Sequence, residues 1–327
     1  MLYLPTTSND ATKLFALEYW LAQQNYPSTV FLLWSTRPTI MLGKYQDALA
    51  EVNLAFAERQ KLQVTRRYSG GGTIYTDPGC FQYSFIAPAT TAKIDFTQFS
   101  ARICQALQQM GLPVQQSSRN DLTFQGRKFS GNAQYHRFGH VIHHGSLLFD
   151  TDVKTMAAAL HVDNLKLRSK HIASVHQRVI NLKTGLPTMT AAEFRARLLA
   201  SIRQTADEVT PLTLTPTQWR AVDGIQQAIF ANDEFIYQST PLTEITKKRY
   251  FPGGGLVKLS LTVKHGVLTA FRLSGDFFSD VDVARLSQGL VGQRFRPATV
   301  QAQLTALLAA TPIVNISTAD LTALCFS

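Results

Sequence analysis

The chain is poor in most of the features that mark a site from sequence alone. Cysteine occurs three times in 327 residues, at Cys80, Cys104 and Cys325. The three are widely separated and match neither a CxxC pair nor zinc-ligand spacing, which excludes a disulfide framework or a zinc ribbon and leaves reduced thiols. No apolar run approaches the length of a bilayer crossing, and the opening residues, MLYLPTTSND, lack the basic start and apolar core of an export leader. The expectation is a soluble, unexported, cytoplasmic protein with no membrane partner. A GxSxG elbow is also missing, so a serine hydrolase has no positive support. There is no basic block, RNP-like aromatic motif, helix-turn-helix signature or zinc knuckle, which argues against a dedicated nucleic-acid reader.

What the chain does have is positive charge, 32 Lys and Arg against 22 Asp and Glu, for a net +10. An excess of this size favours an anionic partner, without choosing between a phosphate-bearing ligand, nucleic acid and an acidic protein surface. The length exceeds that of a single core, so a large domain followed by a smaller one is expected.

Periodicity gives the organisation. The stretch DATKLFALEYWLAQQ reads as a helix capped by Ser8 or Asn9, with Leu14, Leu17 and Leu21 on one face. TVFLLWS and TIMLG read as strands about a TRP turn, DALAEVNLAFAERQK as a helix, and QVTRR, TIYTD and CFQYSFIA as further strands. Residues 96–110 form a helix stopped by Gly111 and Pro113, and three polar-rich strands follow up to Asp150. Helices are expected over 153–161, 191–208 and 217–232. From about Pro241 the pattern changes to alternating strands around a KHG turn, then helices starting near Val281 and Pro297 and a short closing strand. Hairpins and helical crossovers together predict an α/β (α+β) fold, a mixed sheet flanked by helices. The expected domains are 1–244 and 245–327.

Chemistry-bearing residues thicken in three places. In TRRYSGGGTIYTD, Arg66 and Arg67 alternate faces if they end a strand, one aimed into a cleft and the other at solvent. Ser69 and the amides of Gly70, Gly71 and Gly72 offer donors where no Cβ blocks approach, as in phosphate-cradling loops; a plain glycine-rich hairpin explains the same residues equally well. In SSRNDLTFQGRKFSGNAQ, Asp121 suits a metal or an orienting role. Lys128, between Gly126 and Gly131, places an ammonium for phosphate or carboxylate oxygens, although a lone hairpin lysine is ordinarily solvated. The clustering of Arg127 and Ser130 beside it is costly on β-structure unless something uses it. In HVIHHGSLLFD, the histidines His140, His143 and His144 suggest a metal. On a strand His143 and His144 face opposite ways, however, and no carboxylate or cysteine completes a set, so structural or substrate-positioning roles are favoured.

Taken in order, PTIMLGKYQ, RRYSGGGTIYTDPG, RNDL with GRKFSGNAQ, HHGSLLFD and SKHIASVHQRVINL resemble the successive motifs of the lipoate–protein ligase family, and the C-terminal module resembles the accessory domain many such ligases carry. The resemblance implies a catalytic domain like those of class II aminoacyl-tRNA synthetases and biotin–lipoate ligases. It implies a two-step, ATP-dependent reaction through lipoyl-adenylate to an amide on a lysine of an acceptor protein. Lys128 would be the catalytic residue, touching carboxyl and phosphate oxygens. Arg67 would contact the adenylate or lipoyl carbonyl, and Ser69, Gly70, Gly71, Gly72, Ser130 and Gly131 would line the lipoyl and ATP pocket. His144 and Gly145 would lie beside the tail or adenylate, Tyr75 and Phe85 would shape the tail pocket, and Asp121 would hold Mg²⁺ with ATP. Acceptors would be acidic lipoyl domains, such as 2-oxoacid dehydrogenase E2 subunits and the glycine-cleavage H protein.

The sequence departs from the family at DPGCFQYSF, where Cys80 replaces a common Asn. An inert small residue is the favoured reading of Cys80. A nucleophilic thiol would instead make the chain an octanoyl or lipoyl transferase working between carrier proteins without ATP. Such transferases place their cysteine just before the lysine segment, where this chain has Ser117 and Ser118.

Overall fold

The computed structural model describes residues 1–327 apart from 90, 92, 118, 119, 161–178, 207, 238–244, 265 and 327. Its centre is an eight-stranded mixed sheet in the order β11-β1-β2-β6-β10-β9-β8-β7. The strands are β1 (Leu2–Tyr3), β2 (Val30–Ser35), β6 (Cys80–Pro88), β7 (Val114–Gln116), β8 (Asp121–Phe124), β9 (Arg127–Arg137), β10 (His140–Leu148) and β11 (Thr210–Pro211). β1 runs parallel to β2 and β11, whereas the pairs from β2 to β7 are antiparallel. The predicted mixed sheet is therefore present, with four strands rather than three between Val114 and Leu148.

Both faces of this sheet are covered, which is why its central strands read as continuous apolar runs. Phe31, Leu33, Phe81, Phe85 and Leu147 pack under α4 (Thr97–Gln109) and α6 (Ala191–Gln204). Val30, Leu32, Trp34, Ile86 and Ile142 face α1 (Ala11–Ala22) and α7 (Pro216–Ile225). The cap of α1 is Asp10, whose carboxylate accepts from the Thr12 amide at 2.9 Å, and not Ser8 or Asn9. A capping box, Thr190 with Glu193, starts α6.

A three-stranded sheet, β4-β3-β5, stands beside the large one. Here β3 (Thr39–Leu42) pairs in parallel with β4 (Gln63–Arg66) and antiparallel with β5 (Ile74–Thr76). The single helix expected between β3 and β4 is two short ones, α2 (Ala48–Glu51) and α3 (Leu54–Arg59). Asn53 breaks it by capping the second, its side chain accepting from the Phe56 amide at 3.1 Å. After β10 come α5 (Val153–Ala159) and, beyond α7, α8 (Asp233–Tyr237). No helix among the described residues is long and apolar enough to cross a membrane.

The remaining residues build their own core. The antiparallel sheet β12 (Ile245–Phe251), β13 (Gly255–Lys264) and β14 (Val267–Gly275) packs with α9 (Val283–Leu290), α10 (Pro297–Leu308) and α11 (Thr318–Phe326). The chain closes with this last helix rather than a strand. Ser317 and Asp320 cap it reciprocally, the S-x-x-D signature of a helix start.

The segment after β14 docks against the glycine-rich loop between β4 and β5. Tyr45 stacks on Phe277 at 4.5 Å and donates from its hydroxyl to the Ser279 carbonyl at 2.7 Å; the Gly71 amide donates to the Phe277 carbonyl at 3.2 Å. His136 on β9 meets the Asp280 carboxylate through its amide at 2.9 Å and Nδ1 at 2.8 Å. A Cβ on Gly70 would come within 2.2 Å of the Phe277 carbonyl oxygen, a backbone atom that cannot swing aside. Gly70→Ala should therefore unseat this segment. Hydrogen exchange at residues 275–281 is expected to rise on the order of tenfold or more as protecting bonds open, with the large sheet still protected; unchanged exchange there would contradict the docking.

Candidate functional site

β4 ends at Arg66, and the chain loops from Arg67 to Thr73 before β5. Both arginines are buried, contrary to the expectation that one meets solvent, because α8 packs over β4. Arg66 serves structure. Its Nη1 donates to the carbonyls of Gly43 and Gln46 at 2.7 Å each, and its Nε to those of Phe235 and Ile236 at 2.9 and 2.8 Å. Arg67 turns onto the loop itself: Nε donates to Ser69 Oγ at 3.0 Å, Nη1 to the Met41 carbonyl at 3.0 Å, and Nη2 to the carbonyls of Gly70 and Gly72 at 2.9 and 2.8 Å. Burial lowers the pKa of each guanidinium to about 10, and both stay protonated near neutrality.

Ser69 continues the network into the large sheet. Its Oγ lies 2.7 Å from His144 Nε2, and His144 Nδ1 lies 2.9 Å from Glu18 Oε2. Ser84 donates to the other Glu18 oxygen and accepts from Trp34 Nε1 at 2.9 Å. With a carboxylate as acceptor, His144 carries its proton on Nδ1, and Nε2 accepts from the Ser69 hydroxyl. The order Ser–His–Glu has the connectivity of a hydrolytic triad. Yet Ser69 is fully buried, receives the Arg67 bond on its oxygen and does not line the cavity described next, so this array orients rather than attacks. Glu18 escaped the sequence reading. The available signal was a charged residue one turn after Leu14 inside an apolar helix.

A cavity of about 250 Å³ opens on this face of the sheet. Trp34, Gln82 and Ser146, neighbours across β2, β6 and β10, lie along it, and Met41, Tyr75, Leu148 and Met156 add apolar wall. Also on the lining, Lys128 Nζ pairs with Asp121 Oδ1 at 2.6 Å. A bulge aims this lysine. Leu122 pairs with Ser130 and Thr123 with Lys128, which leaves Phe129 as an extra residue sunk in the core. Gly131 keeps the space open, since a Cβ there would meet Lys128 Nζ at 2.9 Å.

Of the residues singled out in the sequence, Arg67, Gly71, Gly72, Asp121, Lys128, Ser130, Gly131, His144 and Gly145 line the cavity together. Ser69 sits one hydrogen bond behind the wall, and Gly70 faces Phe277 instead. Tyr75 lines the cavity as expected; Phe85 does not, because it lies on the opposite face under α4. That face also holds Asn132 Oδ1 between the Tyr83 hydroxyl and His143 Nε2. Gly145 permits this arrangement, as a Cβ would overlap the Tyr83 oxygen at 2.4 Å. The histidine pair thus splits across the sheet, and no metal-holding group of three His, Cys, Asp or Glu occurs among the described residues. Of SKHIASVHQRVINL, all but the last four residues lie outside the described residues.

Residues 10–203 match the family model of the lipoyl protein ligase A/B catalytic domain, and residues 240–324 that of the bacterial lipoate protein ligase C-terminus. The chain belongs to the lipoate–protein ligase family. Over 297 residues, 89% of each chain, it is 33% identical to a lipoate-protein ligase of Bacillus subtilis. It is also 33% identical over 285 residues to a probable lipoate-protein ligase A of Mycoplasma pneumoniae, covering 86% of this chain and 84% of that one. Its fold is that of Plasmodium falciparum LipL1, solved in complex with lipoate, with TM-score 0.73 at 19% identity over 94% of each chain. A lipoate-protein ligase A bound with ATP superposes with TM-score 0.64 at 20% identity, covering 72% of this chain and 97% of that one.

In this lipoate–protein ligase family member the cysteine that replaces the common Asn is packed into the core. Cys80 is fully buried outside the cavity lining, accepts from Gln82 Nε2 at 3.2 Å, and burial pushes its thiol up to about 12. His143 is equally committed to structure: burial, then the neighbouring His144, lowers its pKa from 6.5 to about 3. The folded protein therefore keeps His143 neutral where the unfolded chain takes up a proton, so stability is complete above about pH 6.5 and falls as the pH drops toward 3. His143→Gln should remove this component, up to about 1.4 kcal/mol per pH unit across the window, read as a flatter dependence of the urea midpoint on pH.

Proposed function

We propose that the chain is an ATP-dependent lipoate–protein ligase, with residues 1–244 as the activating domain and 245–327 as its accessory domain. The observation that carries the reading is the cavity itself, walled by apolar side chains such as Trp34 and Leu148 together with the Lys128–Asp121 pair. In the first step lipoate and ATP give lipoyl-adenylate and pyrophosphate. In the second, the ε-amino group of an acceptor lysine attacks the adenylate carbonyl, forming an amide and releasing AMP. A carboxylate is a poor acyl donor, so activation is chemically required; the protein's task is positioning and charge stabilisation.

Lys128 is the residue assigned to both steps. Its ammonium would exchange the Asp121 carboxylate for carboxyl and phosphate oxygens as substrates arrive. Asp121 would serve Mg²⁺ as a single carboxylate, with phosphate and water supplying the remaining ligands that this ion prefers. Arg67 acts mainly by holding the loop carbonyls, so that the Gly71 and Gly72 backbone faces the cavity in one conformation. Tyr250, Asp276 and Phe278 of the C-terminal module complete the wall, which joins that module to the same reaction site.

The net positive charge suits acidic lipoyl domains as acceptors, through attraction that salt weakens. A Thermoplasma acidophilum ligase of the same fold was described together with its E2 lipoyl domain, with TM-score 0.63 at 22% identity. A cytoplasmic setting accords with the unpaired, buried cysteines.

Lipoate-dependent exchange of pyrophosphate into ATP tests the activation step, and its absence in folded protein would count heavily against the proposal. Lys128→Ala should lose nearly all exchange, on the order of a hundredfold or more for removal of a preorganised charge, with an unchanged melting transition. The transferase alternative needs a reactive thiolate, which the buried Cys80 does not supply. Cys80→Ser should accordingly keep exchange and acceptor lipoylation within a few-fold of wild type; loss of transfer together with an acyl-thioester in the parent would favour the transferase.

A further inference from the structure

Positive charge is concentrated in the C-terminal module. Residues 245–327 carry nine Lys and Arg against four Asp and Glu, half of the net +10 in about a quarter of the chain. All four carboxylates are engaged in structure. Asp276 accepts from the Leu256 amide, Asp280 holds His136, Asp282 caps α9 and Asp320 caps α11.

A row of cations crosses the sheet of this module. Lys248 on β12 lies directly opposite Lys258 on β13, and Arg272 on β14 shares their face, opposite Ser260. Like charges placed directly across strands are destabilising. Lysine on an outer strand is a common guard against unwanted strand pairing, but Lys258 sits on the central strand, where no guard is needed. The catalytic domain answers part of the charge: Lys258 Nζ lies 3.7 Å from Glu51 Oε1, and Asp47 opposes the lowering of the Arg272 pKa by burial. At the outer end of the row Lys248 is exposed, as is its neighbour Arg249.

This row borders the reaction cavity. Tyr250 and Glu51 both line the cavity. Tyr250 follows Lys248 by two residues and shares its face, a separation of roughly 7 Å along the strand. We propose that Lys248 and Arg249, with Lys258 and Arg272 behind them, form the docking surface for the acceptor, an acidic protein domain that presents its lysine to the cavity. The assignment rests on the ligase reading and adds to it the place of the partner. A nucleotide's phosphate chain carries the same charge as such a domain. Consecutive strand residues point to opposite faces, however, so Lys248 and Arg249 are spanned by a broad acidic surface and not by one phosphate chain.

Steady-state lipoylation of an isolated E2 lipoyl domain tests the assignment, with lipoate-dependent pyrophosphate exchange measured beside it. In the wild-type protein kcat/KM for the lipoyl domain should fall steeply with added salt, and exchange much less. The double variant Lys248→Glu, Arg249→Glu should lose on the order of tenfold in kcat/KM for the lipoyl domain at low salt, chiefly through KM, with a flatter salt dependence and exchange within about twofold of wild type. A control reverses two exposed arginines, Arg294→Glu with Arg296→Glu, beside the β13–β14 turn and roughly 25 Å along β13 from the residue opposite Tyr250. The control should stay within about threefold of wild type. Undiminished lipoylation in the first variant, equal losses in both, or a parallel loss of exchange would each overturn the proposal, the last by assigning the cations to ATP. Salt-insensitive lipoylation by the wild-type protein would overturn it without any variant. Absence of exchange in the folded wild type defeats the ligase reading instead.

Discussion

A guanidinium without water must be solvated by the protein around it, and at Arg67 that requirement organises the site. The cation gains its hydrogen bonds from carbonyls of the glycine loop, from Met41 on the adjacent strand and from Ser69. Satisfying it fixes a loop that three glycines would otherwise leave with wide conformational freedom. Ser69 extends the constraint through His144 to Glu18, so that a helix, a strand of the large sheet and the loop share one buried polar network. Such a network is stabilising only when every member is paired, which ties the loop's shape to the packing of α1.

The large sheet divides chemistry between its faces. Toward α4, the cluster of Tyr83, Asn132 and the neutral His143 is buried and hydrogen-bonded within itself. Toward α1 and the small sheet, Trp34, Gln82, Ser146 and His144 border open space. Adjacent residues of one strand thus serve unrelated purposes, as with His143 and His144. The bulge at Phe129 uses the same logic beside Lys128, sending an aromatic ring into the core and freeing the lysine for the opening.

The glycine triplet answers to more than one demand. Gly70 is required by the close approach of the Phe277 carbonyl, and Gly71 by a positive φ of 91°. A Cβ added at Gly72 would meet nothing nearer than Asp276 at 3.8 Å, and Gly72 is the member that lines the cavity without a close neighbour on that side. The C-terminal module is therefore part of the site's construction, through its contacts with the loop and through Phe278 on the wall.

Local pattern was enough for much of this. The helices at 11–22 and 97–109, the central strands, the lysine between glycines and the order of the motifs all follow from periodicity, turn chemistry and spacing, because those signals act between residues near in sequence. The fate of Arg66, the break at Asn53 and the closing helix were misread where a side-chain bond or a distant element overrode the local pattern. Which face Phe85 occupies, why Glu18 is buried and what Gly70 makes room for were decided only by folding. Each depends on residues far along the chain meeting at one sheet, and the sequence carries no distance between them.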